Sequence, residues 1–516
     1  MANIIYLSVK DSVPATGYWD HALLKDLLKD IGDSDRTVIV IPGKNQCDEA
    51  SVAKINKEIS HYKKILVFIV SDEQGNFNVE DLDHPDKIVY SQCGNGGFMV
   101  PLGYTLETRK ILKEIGLPTK EMDWFFAGQI THSRRELMAE QLRKMDNGNL
   151  IETKGFTLGL SQQDYLEQMS EARVVPCPSG AVSVDSFRLY EALEAGCVPI
   201  ADSISPLKSS NDHYWVKMFG DLGFPTIANY DELPNLIKKS ATWHNFGNKA
   251  SAWWINKKHQ FREQFKRDLG IAKEEIVAVV PVSPIKSHPK THILEETIAS
   301  IRTHLDCPIL LTFDGVRSEQ KDKEADYHEF MRRMIWKCNF EYKDVLPIIF
   351  DKHNHQSGMM RTVLNNTDIP MILYVEQDTP LTPDVSIDWE KCKKDIKSGK
   401  ANIIRFHFEA SIPMVHNYLM VGEPEDGLQK TVQWSQRPHL ASREIYKIIM
   451  GLFSDDSNCF IEDYMHGVIQ SIWDEQGIKG WDKYKLFIYH PDGSIKRSYN
   501  LDGREGEKKF VEEQKW

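Results

Sequence analysis

The 516-residue sequence is bounded first by what is missing from it. No run of about eighteen apolar residues occurs, the length a helix needs to cross a bilayer. The opening MANIIYLSVKDS holds an apolar stretch too short for a signal peptide, and polar residues follow it. The eight cysteines, at 47, 93, 177, 197, 307, 338, 392 and 459, form no CxxC pair and no close-spaced disulfide framework. That points to a reducing compartment. No internal repeat and no low-complexity tract is present. An excess of positive charge is also lacking. The formal net charge of −12 argues against a protein built to coat nucleic acid or an anionic membrane. These absences together predict a soluble, cytoplasmic protein with no membrane span.

What is present is an ordinary globular composition, in a chain too long for one core. The runs NIIYLSV, RTVIVIP, KILVFIV and KIVYSQ are rich in β-branched residues, and helical apolar spacing lies between them. Such alternation predicts a parallel sheet covered by helices. A second set starts near 122 with DWFFAGQI, SRRELMAEQLRKM and NLIETKG, and ends with FPTIANYDELPNLIKKS. The segment 243–275 is charged, aromatic and helical in pattern. It reads as a connector or as a last helix packing back on the first half. IVAVVPVSP, THILEETIASIRTHL, CPILLTFDG and MILYVEQDTPL then begin a further α/β region. The expected organisation is an N-terminal lobe over 1–118, a second lobe over 119–245, a connector helix over 246–273 and a third domain over 274–516.

The stretch VVPCPSGAVSVDSFRLYEALEAGCVPIA, residues 174–201, concentrates polar groups between two buried strands. A strand ends near Val175, and a loop carries Pro178, Ser179 and Gly180. A helix starts near Asp185 or Ser186 and stops at Gly196, a residue suited to the left-handed turn after a helix. A helix N-terminus offers unpaired N–H groups and partial positive charge, which suits a diphosphate. Arg188 in the first turn adds a charge-assisted bond. Glu191, further along, accepts hydrogen bonds from a ribose diol. On local grounds alone, Ser186 is a cap and Arg188 with Glu191 a solvated pair.

This stretch resembles the signature of exostosin-like glycosyltransferases: a Pro-x-Gly loop, then Ser-Phe-Arg, Glu-Ala-Leu and Ala-Gly-Cys-Val-Pro. The upstream DWFFAGQITHSRRELM resembles the same family's Phe-x-Gly loop followed by basic residues, which brings Arg134 or Arg135 toward the diphosphate. The resemblance covers about 120–235. It implies a two-lobed GT-B fold with a sugar nucleotide, most simply a UDP-sugar, in its cleft. The animal members carry a membrane anchor, and its lack here favours a microbial or viral enzyme.

In the last region, MILYVEQDTPL closes an apolar strand with Glu376, Gln377 and Asp378. Acids at i and i+2 face one divalent ion, and Mg²⁺ or Mn²⁺ takes hard oxygen ligands while leaving positions for a diphosphate. The run resembles the Asp-x-Asp motif of GT-A glycosyltransferases, with Glu in first place. VVPVSPIKSHPKTHILEETIASI resembles the first strand and helix of that fold, implying that Pro281 and Ser283 border the nucleotide base. Asp314, ending the next strand, suits base or ribose. In SNCFIEDYMHGVIQSIW, Glu462 and His466 are spaced i, i+4 and share a helical face, with Asp463 beside them. Glu462 or Asp463 is the candidate base for an acceptor hydroxyl, and His466 a metal or phosphate ligand. Arg437 and His439 lie in a loop before a helix, facing acceptor or diphosphate.

Other features read as structural. QCGNGG at 92–97 lacks the spacing of a dinucleotide loop. Trp253 and Trp254 read as packing, and HNH at 353–355 as loop. The charged C-terminal run LDGREGEKKFVEEQKW reads as solvated. The sequence therefore predicts an α/β enzyme: two Rossmann-like lobes of GT-B type followed by a GT-A domain. Its expected activity is transfer of sugar from a nucleoside diphosphate sugar to a hydroxyl, with Mn²⁺ or Mg²⁺ in the second half. A bifunctional chain, a chain with one active half and one binding lobe, and a non-catalytic carbohydrate- or nucleic-acid-binding protein are the alternatives. A glycan is the expected acceptor, and hydroxymethylated phage DNA the specific alternative.

Overall fold

A computed structural model describes residues 3–6, 22–29, 31, 36–42, 49–70, 78–92, 97–155, 158–207, 213–242, 246–407, 414–454, 458–491 and 495–501. Cys47, Cys93, most of the QCGNGG loop and the chain after Leu501 lie outside the described residues. The chain is α/β, and it divides into two compact units, Met1–Ala272 and Lys273–Trp516. Among the described residues no helix is long and apolar enough to cross a membrane.

Unit 1 holds two parallel sheets. The first comprises β1 (Asn3–Tyr6), β2 (Arg36–Pro42), β3 (Lys64–Val70), β4 (Lys87–Ser91) and β5 (Phe98–Met99), side by side in chain order. Helices α1 (Ala22–Leu28) and α2 (Glu49–Ile59) lie between the first strands. The run KILVFIV of β3 is buried along almost its whole length, as a parallel strand covered on both faces requires. Ile65, Val67 and Ile69 pack with Ile55 and Ile59 of α2. Phe68, pointing the other way, stacks on Tyr90 at 5.1 Å and meets Phe265 edge-on at 5.0 Å.

After α3 (Thr108–Ile115) the second sheet is built from β6 (Met122–Gly128), α4 (Ser133–Leu142), β7 (Gly148–Glu152), α5 (Gln162–Glu171), β8 (Ala172–Cys177), α6 (Phe187–Glu194), β9 (Val198–Asp202), α7 (Tyr214–Phe219) and β10 (Thr226–Ile227). Its order is β10-β9-β8-β6-β7. The chain moves outward from β6 to β7, then returns to the other side of β6 with β8. Trp124 and Phe126 of β6 join Met138 and Leu142 of α4 in one core, closed by Leu233 and Ile237 of α8 (Leu233–Thr242).

The segment read as a connector or as a last helix packing back on the first half falls within unit 1. It is the 23-residue helix α9 (Phe246–Asp268), packed on α1, α6 and β9. Trp254 is fully buried and donates its indole N–H to Glu194 at 2.7 Å. Trp253 lies so close to Gly223 that a Cβ there would sit 2.3 Å from the indole.

Unit 2 is one nine-stranded sheet of order β13-β12-β11-β14-β18-β15-β19-β17-β16. Its elements are β11 (Ile276–Val282), α10 (His292–His304), β12 (Ile309–Phe313), α11 (Glu324–Phe340), β13 (Val345–Ile349), α12 (His355–Asn366), β14 (Met371–Tyr374), α13 (Trp389–Lys397), β15 (Ile403–Arg405), β16 (Met420–Glu425), β17 (Leu428–Thr431), β18 (His439–Ser442), α14 (Arg443–Met450), α15 (Ile461–Gln476), α16 (Ile478–Tyr484) and β19 (Leu486–Tyr489). Strands β13, β12, β11 and β14 are parallel, and β18 is antiparallel to β14 and β15. Here too the order reverses: β12 and β13 lie on one side of β11 and β14 on the other. In such sheets ligands bind beyond the carboxyl ends of the strands at the reversal. That places attention on β6/β8 in unit 1 and β11/β14 in unit 2.

One buried carboxyl in unit 1 makes the fold sensitive to pH. Asp185 accepts the Leu102 N–H at 3.1 Å and lies 3.1 Å from the Tyr214 hydroxyl. Burial pushes its pKa up to about 7, against partial relief from those donors. The unfolded chain returns it to its ordinary value of 3.8. The folded state therefore holds the proton more tightly, and the stability this confers is full below about pH 4 and lost as pH rises through about 7. Asp185→Asn, which keeps the shape and cannot ionise, should flatten that decline. Urea midpoints of both proteins at about pH 5 and about pH 8 test this: the variant should gain on wild type at the higher pH, and parallel pH slopes would refute it.

Candidate functional sites at the two strand reversals

In unit 1 a cavity of about 400 Å³ opens at the carboxyl end of β6. Ala127, Gly128 and Gln129 form its floor, and Ser186, Arg188 and Glu191 of the α6 segment one wall. Arg135, in the first turns of α4, completes the polar lining. Its guanidinium donates to the carbonyls of Gln129 at 3.0 Å and Ser179 at 3.4 Å. Arg188 donates to Ala127 O at 2.8 Å and lies over the Phe126 ring at 4.4 Å. Among the described residues neither arginine has a carboxylate in ion-pair contact. Burial, reinforced by the charge of Arg188, lowers Arg135 to about 10. Two neighbouring guanidiniums held by carbonyls make an unneutralised positive site.

Further polar atoms are poised in this cavity. Ser186 precedes α6, yet its Oγ does not cap the helix, and that atom and Arg188 Nε are buried without partners. Gly128 leaves room for this arginine: a Cβ there would stand 2.7 Å from the Arg188 guanidinium, which would have to move. Glu191 is 5 % exposed and already occupied, accepting from Thr105 Oγ1 at 2.7 Å and Tyr165 Oη at 3.1 Å.

Three of the residues expected here do not reach the cavity. Arg134 clamps the buried Asp202, which also accepts from the Tyr230 hydroxyl at 3.0 Å and the Ser179 N–H at 3.3 Å. Arg134 is thus the anchor of the Ser179 loop. Ser179 is fully buried, and Gly180 closes its loop by donating to Ser183 O at 2.8 Å.

In unit 2 a cavity of about 410 Å³ lies across the ends of β11 and β14. Pro281 and Ser283 line it from β11, and Glu376, Gln377 and Asp378 from β14. The turn after β14 splits these three residues. Gln377 turns inward and clasps Ser283, accepting its N–H at 3.3 Å and donating back to its carbonyl at 3.3 Å. Arg317, Arg437 and Glu462 line the same cavity.

The histidine segment read as plain loop lies in this site. Asp314 is 3 % exposed and accepts from Gly315 N–H (2.9 Å), Asn354 N–H (2.7 Å), His355 N–H (3.0 Å) and His353 Nδ1 (2.7 Å). It is therefore the staple of the 353–355 segment, and it also lines this cavity. Gly315 permits the approach, since a Cβ there would be 2.3 Å from the Lys352 backbone. His355 takes a left-handed φ of 57°, held by that staple. Its Nδ1 lies 2.9 Å from Gln356 N and its Nε2 3.2 Å from the Arg317 guanidinium, and a neutral ring accepts from only one of the two. Burial first, then the charges of Arg317 and His353, lower it to about 4, so at neutral pH it is uncharged. An uncharged His355 beside Arg317 does not add like charge to it.

Two buried glutamines fix the acids. Gln356 donates to Glu376 Oε1 at 2.8 Å and accepts from Gln436 Nε2 at 3.1 Å and Ile461 N at 3.2 Å. The N–H of Gln436 donates in turn to Glu462 Oε2 at 2.9 Å. Glu376 and Glu462 are thus held by one continuous network. Sequence reasoning passed over Gln356, Gln436, Arg317 and His353; the only available signal was the polar cluster HNHQ beginning a helix.

The remaining expected residues stand apart. His439 is in a strand, 1 % exposed, bonded to Arg437 O at 2.7 Å and Tyr446 Oη at 2.6 Å and stacked on Tyr374 at 5.2 Å. It is a core histidine, lowered to about 4 by burial. Asp463 is exposed and outside the cavity lining. His466 is likewise outside it, and among the described residues no group of three His, Cys, Asp or Glu side chains is disposed to hold a metal. A trio of Asp378, Glu376 and His466 is therefore not assembled. Two carboxylates remain, and these fit a Mg²⁺- or Mn²⁺-type ion that takes its other ligands from water and phosphate.

No family model matches the chain, and no curated protein does. Among solved structures, Staphylococcus aureus TarS 1–349 aligns at 7 % identity and a TM-score of 0.28, over 44 % of this chain and 60 % of that one. The same protein in complex with UDP-GlcNAc aligns at 7 % and 0.27, over 58 % of its length. GalNAc-T7 with UDP, GalNAc and Mn²⁺ aligns at 12 % and 0.28, over 44 % of each chain. The match thus spans less than two thirds of the TarS chain. Likenesses this distant carry no argument about the chemistry of the present sites.

The unit 1 cavity makes a direct prediction. With metal chelated, pyrophosphate should bind the wild-type chain, and Arg188→Ala should lose about tenfold or more in affinity, the worth of a charge-assisted bond. Gly128→Ala should also weaken binding by displacing the guanidinium, although no charge is removed. Calorimetry reads both, and unchanged affinity in either variant would contradict the site.

Proposed function

We propose that the chain is a glycosyltransferase that takes its donor from a nucleoside diphosphate sugar, a UDP-sugar in the simplest case, with transfer carried out in unit 2. The observation that carries this reading is the convergence of Glu376, Asp378 and Glu462 with Arg317 and Arg437 in one cavity at the β11/β14 reversal. Pro281 and Ser283 border the place for the nucleoside. Glu376 and Asp378 would hold Mn²⁺ or Mg²⁺, which when bound neutralises charge on the diphosphate. Arg317 and Arg437 add positive charge where negative charge grows as the sugar's anomeric C–O bond breaks. Glu462, at the start of α15 and fixed by Gln436, accepts the proton of the acceptor hydroxyl as its oxygen bonds to the anomeric carbon. The products are the glycosylated acceptor and the nucleoside diphosphate, with the proton on Glu462.

Unit 1 fits a metal-independent site for a nucleoside diphosphate, through Arg135, Arg188, Ser186 and the N-terminus of α6. A second reading makes unit 1 a binding lobe without transfer, and one observation favours it. Glu191 is the only carboxylate lining the unit 1 cavity among the described residues, and both its oxygens are already bonded. The exostosin-like character of this half remains a resemblance in the segments 123–138 and 174–201. A cytoplasmic location accords with the six described cysteines, all free thiols.

The test is calorimetry of UDP on the full-length chain, with Mn²⁺ or with EDTA, for wild type and Asp378→Asn. The wild type should show a metal-dependent component of binding. Asp378→Asn keeps the side-chain size, so that component should fall by about tenfold or more while the metal-independent component persists. A metal-dependent component that survives the substitution would move the metal elsewhere.

A further inference from the structure

One ring of the histidine segment is left unused by the transfer chemistry. His353 lines the unit 2 cavity, with its side chain 26 % exposed, and its Nδ1 lies 2.7 Å from Asp314 Oδ2. The direction of that bond is fixed. Asp314 already takes backbone N–H groups on both oxygens, from Gly315 and Asn354 on one and from His355 on the other, and a carboxylate only accepts. The neutral ring therefore carries its proton on Nδ1 and leaves Nε2, on its opposite edge, as an acceptor. The sheet sets where this acceptor stands. The cavity crosses the strand ends in the order β12, β11, β14 and β18, with Asp314 after β12, Ser283 after β11, the acids after β14 and Arg437 before β18. The β12 end lies two strand spacings, about 10 Å, from the acids. A ribose and a phosphate fill such an interval, so a diphosphate held at Glu376 and Asp378 brings its base to the His353 side. Gln320, in the segment after β12, lines the cavity too.

We propose that His353 reads the base of the donor, and that it selects a base with a ring N–H on its pairing edge, uracil, thymine or guanine, over cytosine or adenine. This rests on the transferase reading above, which places the diphosphate. Uracil N3 and guanine N1 bear a proton that Nε2 accepts. Cytosine N3 and adenine N1 present a lone pair at the same position, so two acceptors face each other and neither finds a donor. A site built on such a bond rejects the partner that lacks it, because a desolvated polar atom is left unsatisfied. Gln320 does not discriminate, since its amide turns to present either a donor or an acceptor. The selection falls on His353, whose tautomer Asp314 holds.

Calorimetry on the full-length chain with UDP, GDP, CDP and ADP tests this, at about pH 8.5, where imidazole is neutral. The quantity read is the metal-dependent component, the binding seen with Mn²⁺ and absent with EDTA, which sets the unit 1 cavity aside. In wild type, UDP or GDP should bind about tenfold or more tightly than both CDP and ADP. His353→Gln supplies an amide that turns to donate or accept, so the ratio of UDP to CDP, or of GDP to ADP, should fall to about threefold or less. His353→Phe keeps a ring and removes the acceptor, so it should weaken the preferred diphosphate without strengthening CDP or ADP. Asp314 keeps its backbone donors Gly315, Asn354 and His355 in both variants, and the wild-type comparison needs no variant at all. CDP or ADP bound by wild type as tightly as UDP and GDP, or a ratio unchanged in His353→Gln, would overturn the base reading and leave the metal site standing. No metal-dependent component for any of the four would defeat the transferase reading, and the base reading with it.

Discussion

Where two neighbouring parallel strands send their following segments to opposite sides of a sheet, neither segment covers the gap between their carboxyl ends. The backbone there must find other partners, and the space beyond it stays open. In unit 2 this gap falls between β11 and β14, and in the second sheet of unit 1 between β6 and β8. The first sheet of unit 1 runs in chain order from β1 to β5 and offers no such gap among its described strands. The position of both candidate sites follows from this one constraint.

Each gap is furnished differently. Unit 1 places two arginines against carbonyls and an aromatic face, so their charge is left for an anion. Unit 2 mixes carboxylates with arginines, and keeps them from collapsing onto one another through neutral groups. Gln356 and Gln436 tie Glu376 to Glu462, and an uncharged His355 stands beside Arg317. Every one of these supports is buried or half-buried, where an unsatisfied polar atom is costly. Such a network holds acids and bases apart at fixed positions, as a site for a charged, metal-associated ligand needs.

Much of the fold was legible because it is written locally. Runs such as KILVFIV announce strands buried on both faces, and the break at Gly196 marks a helix end. Glu376 and Asp378 follow from the acids that close an apolar strand. Arg188 follows from a helix start. What escaped depends on contacts distant in sequence. Gln356 finds Glu376 twenty residues on and Gln436 eighty residues on, and nothing in the neighbourhood of a glutamine foretells either. Arg134 and Arg135 are adjacent on a helix and point about 100° apart, so only the packed structure decides which one Asp202 captures. His439 was read as loop because its strand is four residues long and starts after Pro438.

The central claim is that the reversal at β11/β14 is a metal-assisted nucleotide site. The most direct measurement is a crystal structure of the full-length chain grown with UDP and Mn²⁺, with the metal located by anomalous scattering. The account predicts a manganese peak bound by the Asp378 carboxylate, with Glu376 bound directly or through water and the diphosphate beside Arg317. A peak bound by other residues, or UDP seated away from the ends of β11 and β14, would contradict it.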